Sequence, residues 1–290
     1  MPELPEVETI ARALRDGGRG GVPIVGRVIE SAQVLWPRTL AEPDLSEFQS
    51  RISGQRVKNV GRRGKFLVIQ LAQETLLIHL RMSGDLRVES SSNVDGEILP
   101  FQAHDRAVFL FGDGHRLVFN NPRKFGRVWL VQDPASILGR LGPEPLDESL
   151  TGETFYNRLN RHRRQIKALL LDQTFIAGLG NIYTDEALFL AKINPKRNAH
   201  SLDPQDAERL LRAIRDVLLE GIARNGASID WFYRGGSFQN IFQVYQRTGQ
   251  PCKNCNSLIE KCLVGQRSTH FCPNCQPLPP KSNETVNNKN

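Results

Sequence analysis

Two stretches of this 290-residue chain concentrate groups able to do chemistry. The first is the N-terminus, MPELPEVE, where two prolines and three glutamates follow the initiator methionine. Pro5 suits the first residue of a helix, where its missing N–H is no loss. Glu6 and Glu8 in a first turn complement the helix dipole. Val7, Ile10, Ala11 and Leu14 recur at helical spacing and supply a buried stripe. This helix reading leaves Pro2 and Glu3 unexplained. A proline amine beside a carboxylate is also a candidate catalytic pair, and both readings stand at this point.

The second stretch holds all five cysteines, between Cys252 and Cys275, in a chain whose first 251 residues contain none. A secreted disulfide framework would spread its cysteines. CKNC (Cys252, Cys255) and CPNC (Cys272, Cys275) are separated by sixteen residues, the spacing of a structural zinc site. Each pair sits on a tight turn that lets two sulfurs face one tetrahedral ion. Four thiolates close the coordination sphere, so the expected zinc is structural. Cys262 is left over as a plain thiol, and His270 completes no better ligand set. Arg267 falls near the tip of the hairpin that such a metal would pin. By its chemistry it is either a surface arginine or a contact to a phosphate or reacting group.

Three further groups are basic or apolar at turns. RHRRQIK places Arg161, Arg163, Arg164 and Lys167 at or before a helix start. GLGNIY puts glycine N–H groups beside another helix start, an arrangement that suits a phosphate. In HLRMSG and NPRKFG, Met82, Arg123 and Phe125 lie at strand-end turns. Such residues are usually core, but together they could fill the gap left by an extruded base.

These groups need a scaffold. A balance of 39% hydrophobic and 24% charged residues fits a globular protein with room for two cores. No apolar run approaches a membrane span, and no signal-peptide pattern opens the chain, so a cytoplasmic location is expected. The net charge of +7 suggests a polyanionic partner, most often nucleic acid. Short β-branched and aromatic runs at Phe66 to Leu71, Leu76 to Met82, Arg106 to Phe111, Arg116 to Asn120 and Arg127 to Val131, separated by turn residues, predict an antiparallel sandwich. ESSSNVDGE reads as a flexible loop and LGPEPLDESLTGE as a linker. Helices then follow in TFYNRLNRH, RRQIKALLLD, NIYTDEALFLAK and a long segment from Asp203-Pro204 to Asn225-Gly226.

PELPEVE, RRGKFL, HLRMSG, NPRKFG, LGPEPL, GLGNIY and the four-cysteine finger with GQRSTHFCPNCQ occur in the order seen in bacterial formamidopyrimidine-DNA glycosylases. The chain resembles that family from Pro2 to Gln276. Leu4 in PELPE favours this branch over the related endonuclease VIII branch, which usually opens PEGPE. NPRKFG replaces the commoner DPRRFG, and the stretch from Ser228 to Asn240, which resembles the family's damage-sensing loop, is less standard.

The resemblance implies an α+β, multi-domain fold. An N-terminal helix and antiparallel β-sandwich would form a catalytic domain over 1–134, joined by a linker over 135–150 to a helix-two-turn-helix DNA-binding domain over 151–226. A lesion-recognition loop region over 227–243, a zinc finger over 244–276 and a disordered tail over 277–290 would follow. DNA would lie in a basic cleft between the halves.

The implied activity is that of a monomeric, nucleoid-associated bifunctional glycosylase and lyase acting on damaged double-stranded DNA. It would need one structural zinc and no small-molecule cofactor. Pro2, freed by removal of Met1, would be the Schiff-base nucleophile, and Glu3 the proton donor. Glu6 would hold the terminus. Lys65 would assist β-elimination and Arg267 δ-elimination. His104, Arg123 and Arg163 match DNA contacts, and Lys167 and Asn181 match phosphate ligands. Met82, Arg123 and Phe125 match a void-filling trio. Two alternatives are a glycosylase for oxidised pyrimidines and a non-catalytic zinc-containing DNA-binding relative.

Overall fold

The computed structural model describes residues 1–228 and 235–278. The chain forms two compact units that are discontinuous in sequence. One comprises Met1–Leu150, Asp172–Gly180 and Arg215–Ile241, the other Thr151–Leu171, Asn181–Ile214 and Phe242 onward.

The first unit opens with helix α1 (Leu4–Asp16), capped by Glu3 and stopped at Gly17 in the left-handed region (φ 87°). Helix α1 therefore begins one residue before the expected Pro5, which still occupies its first turn. Strands β1 (Ile29–Val34) and β2 (Leu40–Glu42), helix α2 (Leu45–Ile52), and strands β3 (Val57–Arg63), β4 (Phe66–Leu71), β5 (Thr75–His79), β6 (Asp85–Ser90), β7 (Asp105–Phe111), β8 (His115–Asn120) and β9 (Arg127–Val131) follow. They form two sheets, β1-β7-β8-β6 and β2-β9-β5-β4-β3. All pairings are antiparallel except β2 with β9, which is parallel.

Side chains alternate along each strand, so every second residue of a facing sheet enters a shared core. Phe109, Leu117 and Phe119 come from one sheet and Val60, Leu67, Ile69 and Ile78 from the other. Helix α1 contributes Val7, Ile10 and Leu14, and α2 contributes Phe48 and Ile52. Phe48 meets Phe109 edge-on, with ring centroids 6.4 Å apart. Within ESSSNVDGE the Asn93 side chain accepts the N–H groups of Asp95 and Glu97, and just beyond it buried Arg116 donates to the Leu99 and Pro100 carbonyls.

Helix α3 (Ala135–Leu138) lies in the expected linker. Helices α4 (Gly152–Asn160), α5 (Ile166–Leu170) and α6 (Asn181–Leu190) belong to the second unit. Helix α5 is shorter than RRQIKALLLD suggested, because Gln165 pairs as an extended residue with Asn198 and Ile166 N–H bonds the Arg197 carbonyl. Helix α7 (Pro204–Ala223) starts under Asp203, whose carboxylate accepts the Asp206 N–H at 2.7 Å. Strands β10 (Glu260–Val264) and β11 (Arg267–Phe271) pair antiparallel. Gly265 and Gln266, both at positive φ (53° and 61°), make the two-residue turn between them. No helix among the described residues is long and apolar enough to cross a membrane.

Candidate active site and metal centre

In the first unit the N-terminus is docked, not frayed. Pro2 is buried and Glu3 and Glu6 are each 2% exposed. Glu3 and Glu6 form a reciprocal capping box, in which Glu6 Oε2 accepts the Glu3 N–H at 2.7 Å. Glu6 Oε1 accepts the Ala227 N–H at 2.7 Å. Glu3 Oε2 accepts the Gly180 N–H at 2.7 Å, and Leu4 N–H donates to the Gly178 carbonyl at 3.0 Å. Gly178 sits at φ 93°, and a methyl group there would lie 2.6 Å from the Leu4 side chain. Gln173 clasps this glycine loop by accepting the Gly178 N–H and donating to the Leu179 carbonyl.

Lys65 is 5% exposed and lies with Gly64 in the β3–β4 turn. Glu144 holds that turn, accepting the Gly64 N–H at 2.5 Å, Arg62 at 2.6 Å and Arg63 at 2.9 Å. Burial works against ionising Glu144, but the Arg62 charge and these hydrogen bonds outweigh it and hold its carboxyl below the usual range. Arg62 also bonds Glu8 of α1 at 2.9 Å. The same stretch of chain reaches the glycine loop: Gly142 N–H donates to the Gln173 carbonyl and Ala177 N–H to the Pro143 carbonyl. The LGPEP segment thus ties the Lys65 turn and the support of the N-terminus to one backbone. Near Lys65, burial and the charges of Arg81 and Lys65 push His79 down to about 3, and its Nδ1 accepts the Arg81 N–H.

The candidate void-filling side chains share one edge of the sandwich. Met82 is 43% and Phe125 58% exposed, and the Arg123 guanidinium lies 3.7 Å from the Met82 sulfur. Arg123 N–H donates to the Ser83 hydroxyl. Exposed His104 meets Arg106, and its carbonyl accepts the Asn121 N–H. Residues 229–234 of the suspected damage-sensing loop lie outside the described residues. Its flanks are tied together, with Gly236 N–H donating to the Ser228 hydroxyl and Ser228 N–H to the Gln239 side chain.

In the second unit Arg163 is exposed and Arg267 starts β11 with its side chain exposed. Lys167, expected to be a phosphate ligand, has its partners inside the protein. It is fully buried, ion-paired with buried Asp185 at 2.6 Å and donating to the Ser268 carbonyl at 2.8 Å. The basic cluster around it has no pattern separating the one cation that turns inward. Asn181 Nδ2 donates to the same carbonyl at 2.9 Å. Glu186 is also buried, and three N–H groups, from Gln243, Val244 and Tyr245, converge on its carboxylate, whose pKa is raised by burial. Asp185 and Glu186 were missed as functional candidates. Adjacent carboxylates inside an apolar helix were the available signal, since buried charge must find partners.

The four sulfurs of Cys252, Cys255, Cys272 and Cys275 all lie within 4.8 Å of one another. Cys252 and Cys275 Sγ are 3.9 Å apart, and Cys255 and Cys272 Sγ 3.4 Å. Tetrahedral zinc with bonds of about 2.3 Å requires sulfurs about 3.8 Å apart, so the residues fit one structural ion. Backbone N–H groups of Asn254 and Cys275 point at the Cys252 and Cys272 sulfurs, as ligand thiolates require. Cys262 lies outside the cluster, and His270 Nδ1 is engaged by Asp185 instead.

The sequence patterns of the formamidopyrimidine-DNA glycosylase N-terminal domain, its H2TH domain and a zinc finger found in FPG and IleRS match residues 1–128, 141–232 and 249–278. A formamidopyrimidine-DNA glycosylase of Pelotomaculum thermopropionicum is 44% identical over 285 residues, covering 95% of this chain and 99% of that protein. One of Chloroflexus aurantiacus is 44% identical over 284 residues, covering 95% and 98%. Among solved structures, the Lactococcus lactis Fpg bound to DNA with an abasic site superposes with a TM-score of 0.85 at 34% identity, over 95% of this chain and all of that one. MutM bound to DNA containing carbocyclic 8-oxo-G gives 0.84 at 36% identity, over 96% and 100%. With full-length relatives and a docked Pro2-Glu3 terminus in hand, the chain belongs to the formamidopyrimidine-DNA glycosylase family.

Proposed function

We propose that this chain is a base-excision repair enzyme that removes oxidised purines from duplex DNA and then cleaves the strand at the abasic site. The observation that carries this is the anchored terminus. Glu6 and the Gly178–Gly180 loop hold Glu3 in a fixed place next to buried Pro2, which a helix start alone does not need.

After Met1 is removed, Pro2 presents a secondary amine. An α-amino group has a pKa of roughly 8, so an appreciable fraction is neutral near pH 7. The nitrogen lone pair attacks C1′, the glycosidic bond breaks, and the damaged base leaves with the bonding electrons and takes up a proton. Glu3 protonates the ring oxygen as the sugar opens. The resulting iminium has no nitrogen proton to lose and stays a cationic electron sink. Loss of a C2′ proton then expels the 3′ phosphate, which is β-elimination, with Lys65 assisting. Loss of a C4′ proton expels the 5′ phosphate, which is δ-elimination, with Arg267 assisting. Met82, Arg123 and Phe125 fill the space vacated by the flipped nucleotide and offset part of the few kcal/mol of unstacking. His104, Arg123, Arg163 and Asn181 contact the DNA. The zinc, held by the four cysteines, supplies shape to the hairpin.

The test is borohydride trapping on duplexes containing 8-oxoguanine, an oxidised pyrimidine or an abasic site, with mass spectrometry of the intact N-terminus. The expected result is a covalent adduct at Pro2, formed faster with the oxidised purine than with the pyrimidine. No adduct from protein with a verified proline terminus would refute the catalytic reading, and faster trapping on the pyrimidine would refute the substrate assignment.

A further inference from the structure

Arg267 stands on a hairpin too small to fix it. Strands β10 and β11 contribute five residues each, and Arg267 faces Val264 across the two-residue turn. What fixes β11 comes from α5 and α6. Lys167 Nζ and Asn181 Nδ2 both donate to the Ser268 carbonyl, at 2.8 and 2.9 Å, one residue beyond Arg267. Asp185 stands behind them. One of its oxygens meets Lys167 Nζ at 2.6 Å, and the other accepts the His270 N–H at 2.9 Å and meets His270 Nδ1 at 3.1 Å. Lys167 and Asp185 are both fully buried. A methyl group at Gly265 would come within 3.3 Å of Ala168, so the turn lies close against α5.

We propose that Asp185 is a positioning residue for Arg267. It acts at both ends of a short span of β11: directly on His270, and through Lys167 on Ser268. The ion pair gives Lys167 a single orientation inside the protein, so its ammonium presents a donor to Ser268 and not to solvent. The exposed guanidinium of Arg267 is then carried on a backbone held at two points, and its reach to a phosphate or reacting sugar is set by α6. This rests on the reading of Arg267 as the group that assists δ-elimination.

The experiment uses zinc-loaded full-length protein and a 5′-labelled abasic-site duplex, and separates β-elimination from δ-elimination products. Arg267→Ala, Asp185→Asn and the double variant are compared, with borohydride trapping and zinc content measured alongside. Asp185→Asn should lower the δ-to-β product ratio by at least about tenfold, since a misplacement of about 1 Å can cost on the order of 100-fold, while trapping at Pro2 and zinc content persist. The double variant should be no worse than Arg267→Ala alone. A normal product ratio in Asp185→Asn, with a depressed one in Arg267→Ala, overturns the positioning role. A double variant that falls further than Arg267→Ala also overturns it. A normal ratio in Arg267→Ala overturns the underlying reading of that arginine, and the positioning role with it. If Asp185→Asn fails to fold or to hold zinc, the paired Asp185→Leu and Lys167→Met variant, which leaves no unpaired buried charge, is judged by the same ratio.

Discussion

The proposed role of Glu3 makes Gly180→Ala an informative substitution. Gly180 does not adopt positive φ, so alanine causes no backbone strain there. The added methyl group would lie 2.3 Å from the Glu3 carboxyl carbon and 2.5 Å from Oε1. Carbon contacts settle near 3.5 to 4.0 Å, so the carboxyl group must retreat by about 1 Å or more. It also loses the 2.7 Å hydrogen bond from Gly180 N–H. A hydrogen bond of this kind contributes about 0.5 to 1.5 kcal/mol, and alanine returns about 0.4 to 1 kcal/mol through the unfolded chain. The net loss of stability is therefore small, within about 1 kcal/mol. Excision should fall on the order of 100-fold, the typical effect of a 1 Å displacement at a reacting group. The assay is single-turnover excision of 8-oxoguanine, with denaturant unfolding in parallel. Gly61→Ala, where a methyl group meets nothing within 4 Å, is the control and should match the parent. Excision by Gly180→Ala within about threefold of the parent would refute the claim that the Glu3 carboxylate must stay where Gly180 holds it.

Glu144→Gln should cost about 2 kcal/mol at neutral pH by weakening charge-assisted bonds to the Lys65 turn. Because the Glu144 pKa is lowered from 4.5 in the folded state, its stabilisation is complete above the unfolded value and is lost as pH falls through the folded one. The gap between parent and variant should therefore narrow in unfolding curves taken below about pH 4.5. Phe125→Ala should reduce lesion excision about tenfold, within the few kcal/mol of a flipped-base gap, with an unfolding midpoint close to the parent's because the ring is already exposed. Chelating the zinc should release the β10–β11 hairpin and abolish δ-elimination, read as product ratio and as new proteolytic cleavage between Cys252 and Cys275, whereas an unchanged protease pattern would contradict a metal-pinned hairpin.

The metal site was legible because its whole signal is local: two tight pairs at a set spacing. Strands β4 and β9 appear with the expected bounds because their apolar β-branched runs are continuous. Strand β3 was not read, since VKNVGRR lies at a sheet edge and carries its polar residues in adjacent pairs, Lys58-Asn59 and Arg62-Arg63, which breaks the period of two. Parallel pairing of the three-residue β2 had no signature in a chain that otherwise reads as hairpins. The helix-start reading of PELPEVE and the proposed catalytic role call on one arrangement, because the residues that cap α1 also hold Glu3. The glycines of GLGNIY stood out in the sequence, but their partners did not: the Gly180 and Ala227 N–H groups bond Glu3 and Glu6, and a backbone donor carries no mark of the carboxylate it will meet. The burial of Lys167 was not legible for a related reason, since it depends on Asp185, eighteen positions further along the chain.

The discontinuity of the first unit also sets an order of events during synthesis. The docked terminus depends on later segments: Gly180 bonds Glu3 and Ala227 bonds Glu6. At about 5 to 20 residues per second, roughly ten seconds or more separate emergence of the first residues from that of Ala227. During this interval the terminus has no partner for Glu6 at Ala227, and an aminopeptidase can reach the Met1-Pro2 bond. Folding buries Pro2 while leaving Met1 exposed, so removal of Met1 is expected to be faster before Ala227 emerges than after docking. Ribosome-bound chains halted before Ala227 should lose Met1 faster than folded full-length precursor, and equal rates would show that docking does not protect the bond.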